Sequence, residues 1–469
     1  MRSTYLASSR YHLWWYRRMS DLTQIAARII NEAKDGESVE AYVSRGVDTD
    51  VAAYGGEVES LTQASSSGVG VRILLPSDEG FQVGFSWAGS LDDDAVRLAL
   101  RQARENATFS SVDPYAGLAE PDGFPITKLA LASPSFSAMT IDDKIALTLE
   151  LERATIAADP RIKSVDHASY GDFRSETAIA TTSGIATSDE RTGAYLSVSA
   201  LAGDDTETQS GYGLSVGRDP YDLDTAVAVG DAVERSTRLL GGTKPLSGRV
   251  TMVLDPRVSA SVLGQVAAAL SGDAVARGRS FFVDRIGEVV ASPLVTLIDD
   301  PTDMRFFGAS AVDAEGLACR RNVLINQGRL ERFVYDSQAA RRAGTQSTGS
   351  AVRGGFAGRS GAGCQALLLA PGELDLDALL AAVGEGIYVQ SISGVHSGVS
   401  SVSGDFSVGA EGLIIRDGVL AEPFREATVA STLQRMLQNV SAVGSDLTWL
   451  PGLAAGLSVA ISDVQLSGR

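Results

Sequence analysis

The sequence predicts an α+β protein in which N-terminal helix–strand modules precede a strand-rich, barrel-like C-terminal domain with few helices. Three observations predict it. Apolar residues recur at helical spacing in a few bounded stretches, as in Leu22, Ile25, Ala26, Ile29 and Ile30. Between those stretches, side chains alternate apolar and polar, the period of a half-buried strand. The 49 glycines fall repeatedly beside Ser, Ala and Val, which supplies turns and closely approaching strands rather than one helical array.

The elements follow in order. Residues 1–18 carry Arg2, Arg10, Arg17 and Arg18, no acid, and aromatics at 14–16. The arginines come last and the apolar stretch is short, the reverse of a signal peptide. This segment reads as a start-site extension or a disordered tail whose removal leaves folding unchanged. A helix begins at Met19, with Ser20 or Asp21 to cap it, and ends near Gly36. Strands follow at 39–43, 50–54, 68–75 and 82–87, then a helix over 92–109. Residues 19–110 form an N-terminal α+β domain. Residues 111–139, rich in Pro, Ser, Gly and Asp, read as a linker. A central α+β domain spans 140–243: a helix capped by Thr140 with Asp142 and Asp143 in its first turn, strands at 162–174, 177–182 and 192–202, and a helix over 223–240. The β-rich domain, 244–469, opens with a strand at 250–254 and a helix started by Asp255-Pro256. Hairpin turns follow at Asn326-Gln327-Gly328 and Arg416-Asp417-Gly418. A short helix covers 430–439, and the last strand covers 457–464.

Composition excludes several functions. The net charge is −18 with no basic stripe, whereas nucleic-acid binding needs clustered Lys and Arg to neutralise phosphates. No apolar run approaches the ~18 residues that span a bilayer, so no membrane is expected as a partner. Cys319 and Cys364 are the only cysteines; they make neither a disulfide framework nor a zinc knuckle, and a reducing cytoplasmic setting is expected.

The chemistry of a hydrolase is not evident. A helical zinc-protease site needs two His a turn apart with a Glu beside them. The histidines here are His12, His167 and His396, widely separated. Gly213-Leu214-Ser215-Val216-Gly217 has the letters of a nucleophile elbow, but residues 218–222 intervene before the next helix, so Ser215 is not on the tight turn. The glycines at 354, 355, 358, 361 and 363 lack a Walker lysine and read as a flexible loop. Asp299, Asp300, Asp313 and Glu315 read as turn or cap residues, with oxygen-ligand metal binding left open. The most unusual stretch is 394–412, where small residues alternate with polar ones. It is either a Gly-rich bend of a barrel-like sheet or a functional groove.

That stretch also carries a resemblance. Gly404-Asp405-Phe406-Ser407 leading into Gly409-Ala410-Glu411-Gly412 resembles the signature of the PmbA/TldE side of the TldD/PmbA family. Three further runs are similar: Gly68-Val69-Gly70-Val71-Arg72; Asp313-Ala314-Glu315-Gly316 with Arg320-Arg321 and Asn326-Gln327-Gly328; and Asp336-Ser337 through Arg341 with Ser347-Thr348-Gly349. The likeness covers about residues 20–468.

The resemblance implies a division of labour. The TldD-type subunit carries a His-Glu-x-x-x-His helix after an Asp-Pro strand end and a Cys near the C-terminus, which together hold a metal. Here the matching helix, including Val262-Leu263-Gly264-Gln265-Val266-Ala267, has neither His nor Glu, and 446–452 has no Cys. No catalytic or metal-ligating residue is therefore expected in this chain. The metal, expected to be zinc, would sit in a TldD-like partner, with small or unfolded peptides as substrates and added as a strand. The candidate peptide-channel residues are His396, Ser403, Asp405 and Phe406. Asp405 either holds its turn by accepting backbone N–H bonds or faces the peptide. Two other functions compete: a self-sufficient hydrolase with its site at Ser215 or at acids together with His396, and a homodimeric peptide-binding module that acts without a TldD-like partner.

Overall fold

A computed structural model describes residues 21–204 and 206–469, so the basic, aromatic N-terminal segment and Ser20 lie outside the described residues. The chain is α+β, as its periodicities imply. The first described helix, α1 (Asp21–Asn31), buries Leu22, Ile25, Ala26 and Ile29. Seven antiparallel strands follow: β1 (Ser38–Tyr54), β2 (Glu57–Ser77), β3 (Gly80–Ala88), β4 (Val112–Asp113), β5 (Ile162–Thr181), β6 (Ala186–Gly203) and β7 (Thr208–Gly217). They form one sheet in the order β4-β3-β2-β1-β5-β6-β7. The stretches 19–110 and 140–243 meet where β1 pairs β5 from Glu40↔Thr181 to Ala53↔Ala168.

Alternation along β1 divides the sheet's two faces. Val39, Ala41, Val43 and Val51 point to the helical side. There they meet α1, α2 (Asp93–Phe109), α3 (Ile141–Ala158) and α4 (Thr225–Thr237). Thr140 caps α3 in a reciprocal pair with Asp143, as the sequence pattern predicts. Glu40, Tyr42, Ser44, Gly46 and Asp48 point to the opposite face.

The C-terminal part begins with β8 (Gly248–Leu254), α5 (Pro256–Ala269) and α6 (Gly272–Ala276). A small sheet, ordered β11-β10-β9-β14, comprises β9 (Leu297–Asp299), β10 (Asn322–Asn326), β11 (Arg329–Leu330) and β14 (Leu367–Leu369). Between β11 and β14 lie α7 (Ser337–Ala343) and the pair β12 (Ala351–Val352) and β13 (Gly361–Ala362). The chain ends with α8 (Leu376–Val383), β15 (Gly386–Ser393), α9 (Val395–Gly398), β16 (Asp405–Arg416), β17 (Val419–Thr432), α10 (Leu433–Gln438), β18 (Val440–Val443) and β19 (Val459–Ser467). Strands β17, β16, β15, β8 and β19 pair in sequence, and β19 pairs back to β17. The result is a closed five-stranded barrel, which removes sheet edges. Met252, Leu254, Ile387, Val389, Phe406 and Val429 join its core. Alternate residues Val253, Tyr388 and Leu413 pack outward on Leu379 and Leu380 of α8.

The stretch 111–139 has almost no regular structure, yet it is fastened to the rest. Arg341 of α7 donates to the carbonyls of Tyr115 (2.8 Å), Gly117 (2.8 Å) and Leu118 (3.2 Å). Leu131 is buried against Phe306, and its carbonyl accepts from Thr192 N–H. No helix among the described residues is long and apolar enough to cross a membrane.

Candidate functional site

Three of the family-like runs, at 68–72, 313–316 and 336–341, converge on one place together with the 353–360 loop. It lies between the helix-free face of the sheet and the C-terminal part of the chain. Residues Gly68 and Gly70 of β2 lie opposite Ser44 and Tyr42 of β1. A Cβ on either glycine would collide with Phe356, so the absence of side chains lets the 353–360 loop seat on the sheet. The Phe356 ring also meets Trp87, with centroids 5.9 Å apart. The glycines around it make a docked loop, not the loose one expected from composition.

Two residues beyond Gly70, Arg72 enters a buried ionic network. Its guanidinium lies 2.5 Å from Glu40 and 3.9 Å from Glu315. The second oxygen of Glu40 takes Arg353, at 2.5 Å, and the Arg353 guanidinium also lies 4.7 Å from the Tyr42 ring centre. The Glu40 and Glu315 side chains are 1% and 0% exposed. Burial opposes ionisation of Glu40, but the two guanidinium groups outweigh it and hold its carboxyl at about 2. Glu315 also accepts from Ser337 N–H (2.9 Å), and Asp336 accepts from Ala339 N–H (2.7 Å) at the head of α7. Burial, reinforced by Glu315, pushes Asp336 up to about 6.

Asp313 completes the cluster. One oxygen accepts from the N–H groups of Glu315 (2.9 Å) and Leu317 (3.0 Å), and the other from Ala351 (3.1 Å). Burial first, then the charge of Glu315, pushes its carboxyl up to about 7. Asp313 also lines a polar cavity of about 410 Å³, shared with Tyr42, Ser44, Asp48, Arg191 and Ser310. Deeper in the fold, Asp299 accepts from Gln365 N–H (2.8 Å) and Ala366 N–H (2.7 Å) through one oxygen, while its other oxygen has no partner. Burial pushes it up to about 6. Both cysteines are buried, and burial raises both thiols, so neither is a ready thiolate.

The residues singled out for a peptide channel lie elsewhere. None of them lines this cavity. His396 is exposed on α9. Ser403 donates to Asp405 (2.6 Å), and both are exposed, so Asp405 accepts from a hydroxyl at its own turn. Phe406 turns inward, 2% exposed, into the barrel core. Ser215 lies within β7 and accepts from Asp224 N–H (2.9 Å) at the start of α4. Gly213 of the same run lies against the Ala228 backbone, so those glycines serve strand–helix packing.

The fit to a metal is poor where a sequence-related subunit would hold one. The helix after Asp255-Pro256, α5, buries Val258, Val262, Leu263 and Val266. Asp255 itself is taken up by Arg235 (2.9 Å) and the Tyr388 hydroxyl (2.7 Å). Among the described residues, no three His, Cys, Asp or Glu side chains converge as a metal site needs. No catalytic step through a metal is derived for this chain.

Comparisons with known proteins agree on its relatives. Three family models match successive stretches: PmbA/TldA metallopeptidase domain 1 (39–107), central domain (134–240) and C-terminal domain (247–468). The chain is 25% identical over 454 residues to metalloprotease PmbA of Escherichia coli O157:H7, covering 96% of each. It is 29% identical over 391 residues to a metalloprotease TldD homolog of Haemophilus influenzae, covering 80% of this chain and 79% of the relative. In fold it resembles the crystal structure of TldE from Thermococcus kodakarensis, with a TM-score of 0.84 at 21% identity over 96% of this chain and 100% of that one.

Proposed function

From the premise that this chain belongs to the TldD/PmbA family, we propose that it is the metal-free PmbA/TldE-type subunit of a cytoplasmic metallopeptidase. Its partner is a TldD-like subunit that carries the metal and cleaves small or unfolded peptides. The observation that carries this reading is α5, whose inward positions are Val258, Val262, Leu263 and Val266 where a metallopeptidase helix would present imidazole and carboxylate. The likeness to TldE in fold is consistent with it. In this reading the chain contributes the walls of a shared peptide chamber, not the reacting groups. His396, Ser403 and Asp405 are exposed and available to face a peptide.

Reconstitution tests the proposal. The purified chain alone should hydrolyse no peptide, and mixing it with a co-expressed TldD-like protein should produce cleavage that neither shows alone. Peptidase activity of this chain by itself would overturn the reading. His396→Ala and Asp405→Asn should slow cleavage by the pair without weakening its assembly; wild-type rates in both would remove this segment from the chamber.

A further inference from the structure

We propose that the polar cavity on the helix-free face of the sheet binds a short peptide with both termini free, its carboxylate at Arg191 and its ammonium group at Asp48. The inference concerns a cavity of this chain alone and needs no partner subunit. Register sets the cavity floor. Ser44 of β1 lies opposite Thr177 of β5, and Gly46 lies opposite Ser175 on one side and Ser66 of β2 on the other. Beyond β5, Thr177 meets Asp189 and Ser175 meets Arg191 of β6. Directly opposed residues share a face of a sheet, so these side chains stand on the face that carries Tyr42 and Asp48.

Gly46 turns that floor into a well. A Cβ added there would lie 3.4 Å from the Ser66 hydroxyl and 4.0 Å from Cβ of Ser175, so the missing side chain leaves its space to the cavity. The hydroxyls of Tyr42, Ser44, Ser66, Ser175 and Thr177 have no hydrogen-bond partner among the described residues. Each can both donate and accept, which suits the N–H and C=O groups of a peptide main chain. At the inner end, one Arg191 nitrogen donates to Asp189 (2.7 Å) and Ser310 (3.2 Å). Its other N–H groups have no partner among the described residues and are open to a carboxylate. At the outer end, Asp48 is exposed and has no hydrogen-bond or ion-pair partner among the described residues. Burial first, then the charges of Asp50 and Asp172, raise its carboxyl above the ordinary value, and a bound ammonium group relieves that repulsion.

The lining selects the ligand class. Phosphate and other dianions are disfavoured, because Asp48, Asp189 and Asp313 share the cavity and the Arg353 side chain is held by Glu40. A sugar ring finds no open aromatic face: the Tyr42 ring is covered by Arg353 at 4.7 Å, and Phe173 meets Phe307 edge to face at 5.9 Å. A free amino acid is too short. Asp48 and Arg191 stand two strands and two residues apart in register, about 12 Å along the sheet. An extended tripeptide spans about 10 Å, and the two side chains supply the remaining reach. A volume of about 410 Å³ accommodates it.

The test titrates the full chain, without any partner, with triglycine and follows binding by calorimetry. Triglycine should bind saturably, and N-acetyl-triglycine amide, which lacks both charges, about tenfold more weakly or worse. Asp48→Asn should weaken triglycine by about tenfold and leave N-acetyl-triglycine, which has no ammonium group, unaffected. Gly46→Val should fill the well and abolish binding at the wild-type melting temperature, since Gly46 has no positive φ and valine suits a strand. The proposal is overturned if triglycine does not bind at millimolar concentration, if the capped peptide binds equally well, or if the variants bind triglycine like wild type. Should Gly46→Val fail to fold, Asp48→Asn and the capped peptides decide. Because the readout is binding by this chain alone, its failure is distinct from a failure of reconstituted cleavage.

Discussion

Glu40→Ala should destabilise the protein by about 3–5 kcal/mol, the effect of leaving buried charge without its partner. Both oxygens of Glu40 are engaged, one by Arg72 and one by Arg353, and all three side chains are nearly inaccessible. Removing the carboxylate leaves two guanidinium groups facing each other, with Glu315 3.9 Å from one of them. The loss should appear as a lower urea midpoint with an unchanged slope. The sign of the pH dependence follows from the depressed Glu40 carboxyl. Its contribution is present above the ordinary carboxylate range and disappears as pH falls toward about 2, so wild type and variant should converge in acid. A loss under about 1 kcal/mol at neutral pH would show that the network does not hold the 353–360 loop to the sheet.

Asp299→Asn should have the opposite sign. Burial raises this carboxyl from 3.8 to about 6, so the folded state holds its proton more tightly than the unfolded chain does. Stability from this group is full below the unfolded value and is lost as pH rises through about 6. Asn keeps the oxygen that accepts from Gln365 and Ala366 and introduces no charge at the unpartnered position. The variant should therefore be more stable than wild type at pH 8, by roughly 2–3 kcal/mol from the size of the shift, and nearly equal to it in mild acid. Thermal unfolding across this range measures the difference. A variant less stable than wild type at high pH would mean that the free oxygen has a partner in solution.

Much of the fold was legible because helices advertise themselves by period: α1, α2, α3 and the helix behind Asp255-Pro256 lie within or close to the stretches their apolar spacing predicts. The long strands were not read whole. β1 runs unbroken through Ser44, Arg45, Gly46, Asp48 and Thr49, polar residues that interrupt the alternation used to find strands. Three of them have a reason that only the assembled sheet supplies: Arg45 pairs with Glu176 (2.7 Å), while Ser44 and Asp48 line the cavity. The same holds for β5, read as two strands broken at Ser175-Glu176, where Glu176 is the partner that Arg45 takes.

The cluster itself was half visible. Glu40 and Arg72 occupy the polar parity of two strands whose other parity is buried, and opposite charges at such positions are a usable signal of a cross-strand pair. Asp313 and Glu315 do take turn and cap duties, as their surroundings suggest, but nothing local shows that they are buried or that Glu315 approaches Arg72. Nor does a glycine-rich stretch reveal that its one phenylalanine seats on two glycines almost three hundred residues earlier. Such contacts are products of topology, and a single sequence carries no record of them.

The central claim, that this chain leaves the metal to its partner, is tested most directly by elemental analysis. The purified chain, equilibrated with zinc and then dialysed, should retain far less than a stoichiometric amount, because α5 offers valine and leucine where a zinc site needs imidazole or thiolate. Retention of about one zinc per chain, displaced by a chelator and accompanied by a change in stability, would contradict it.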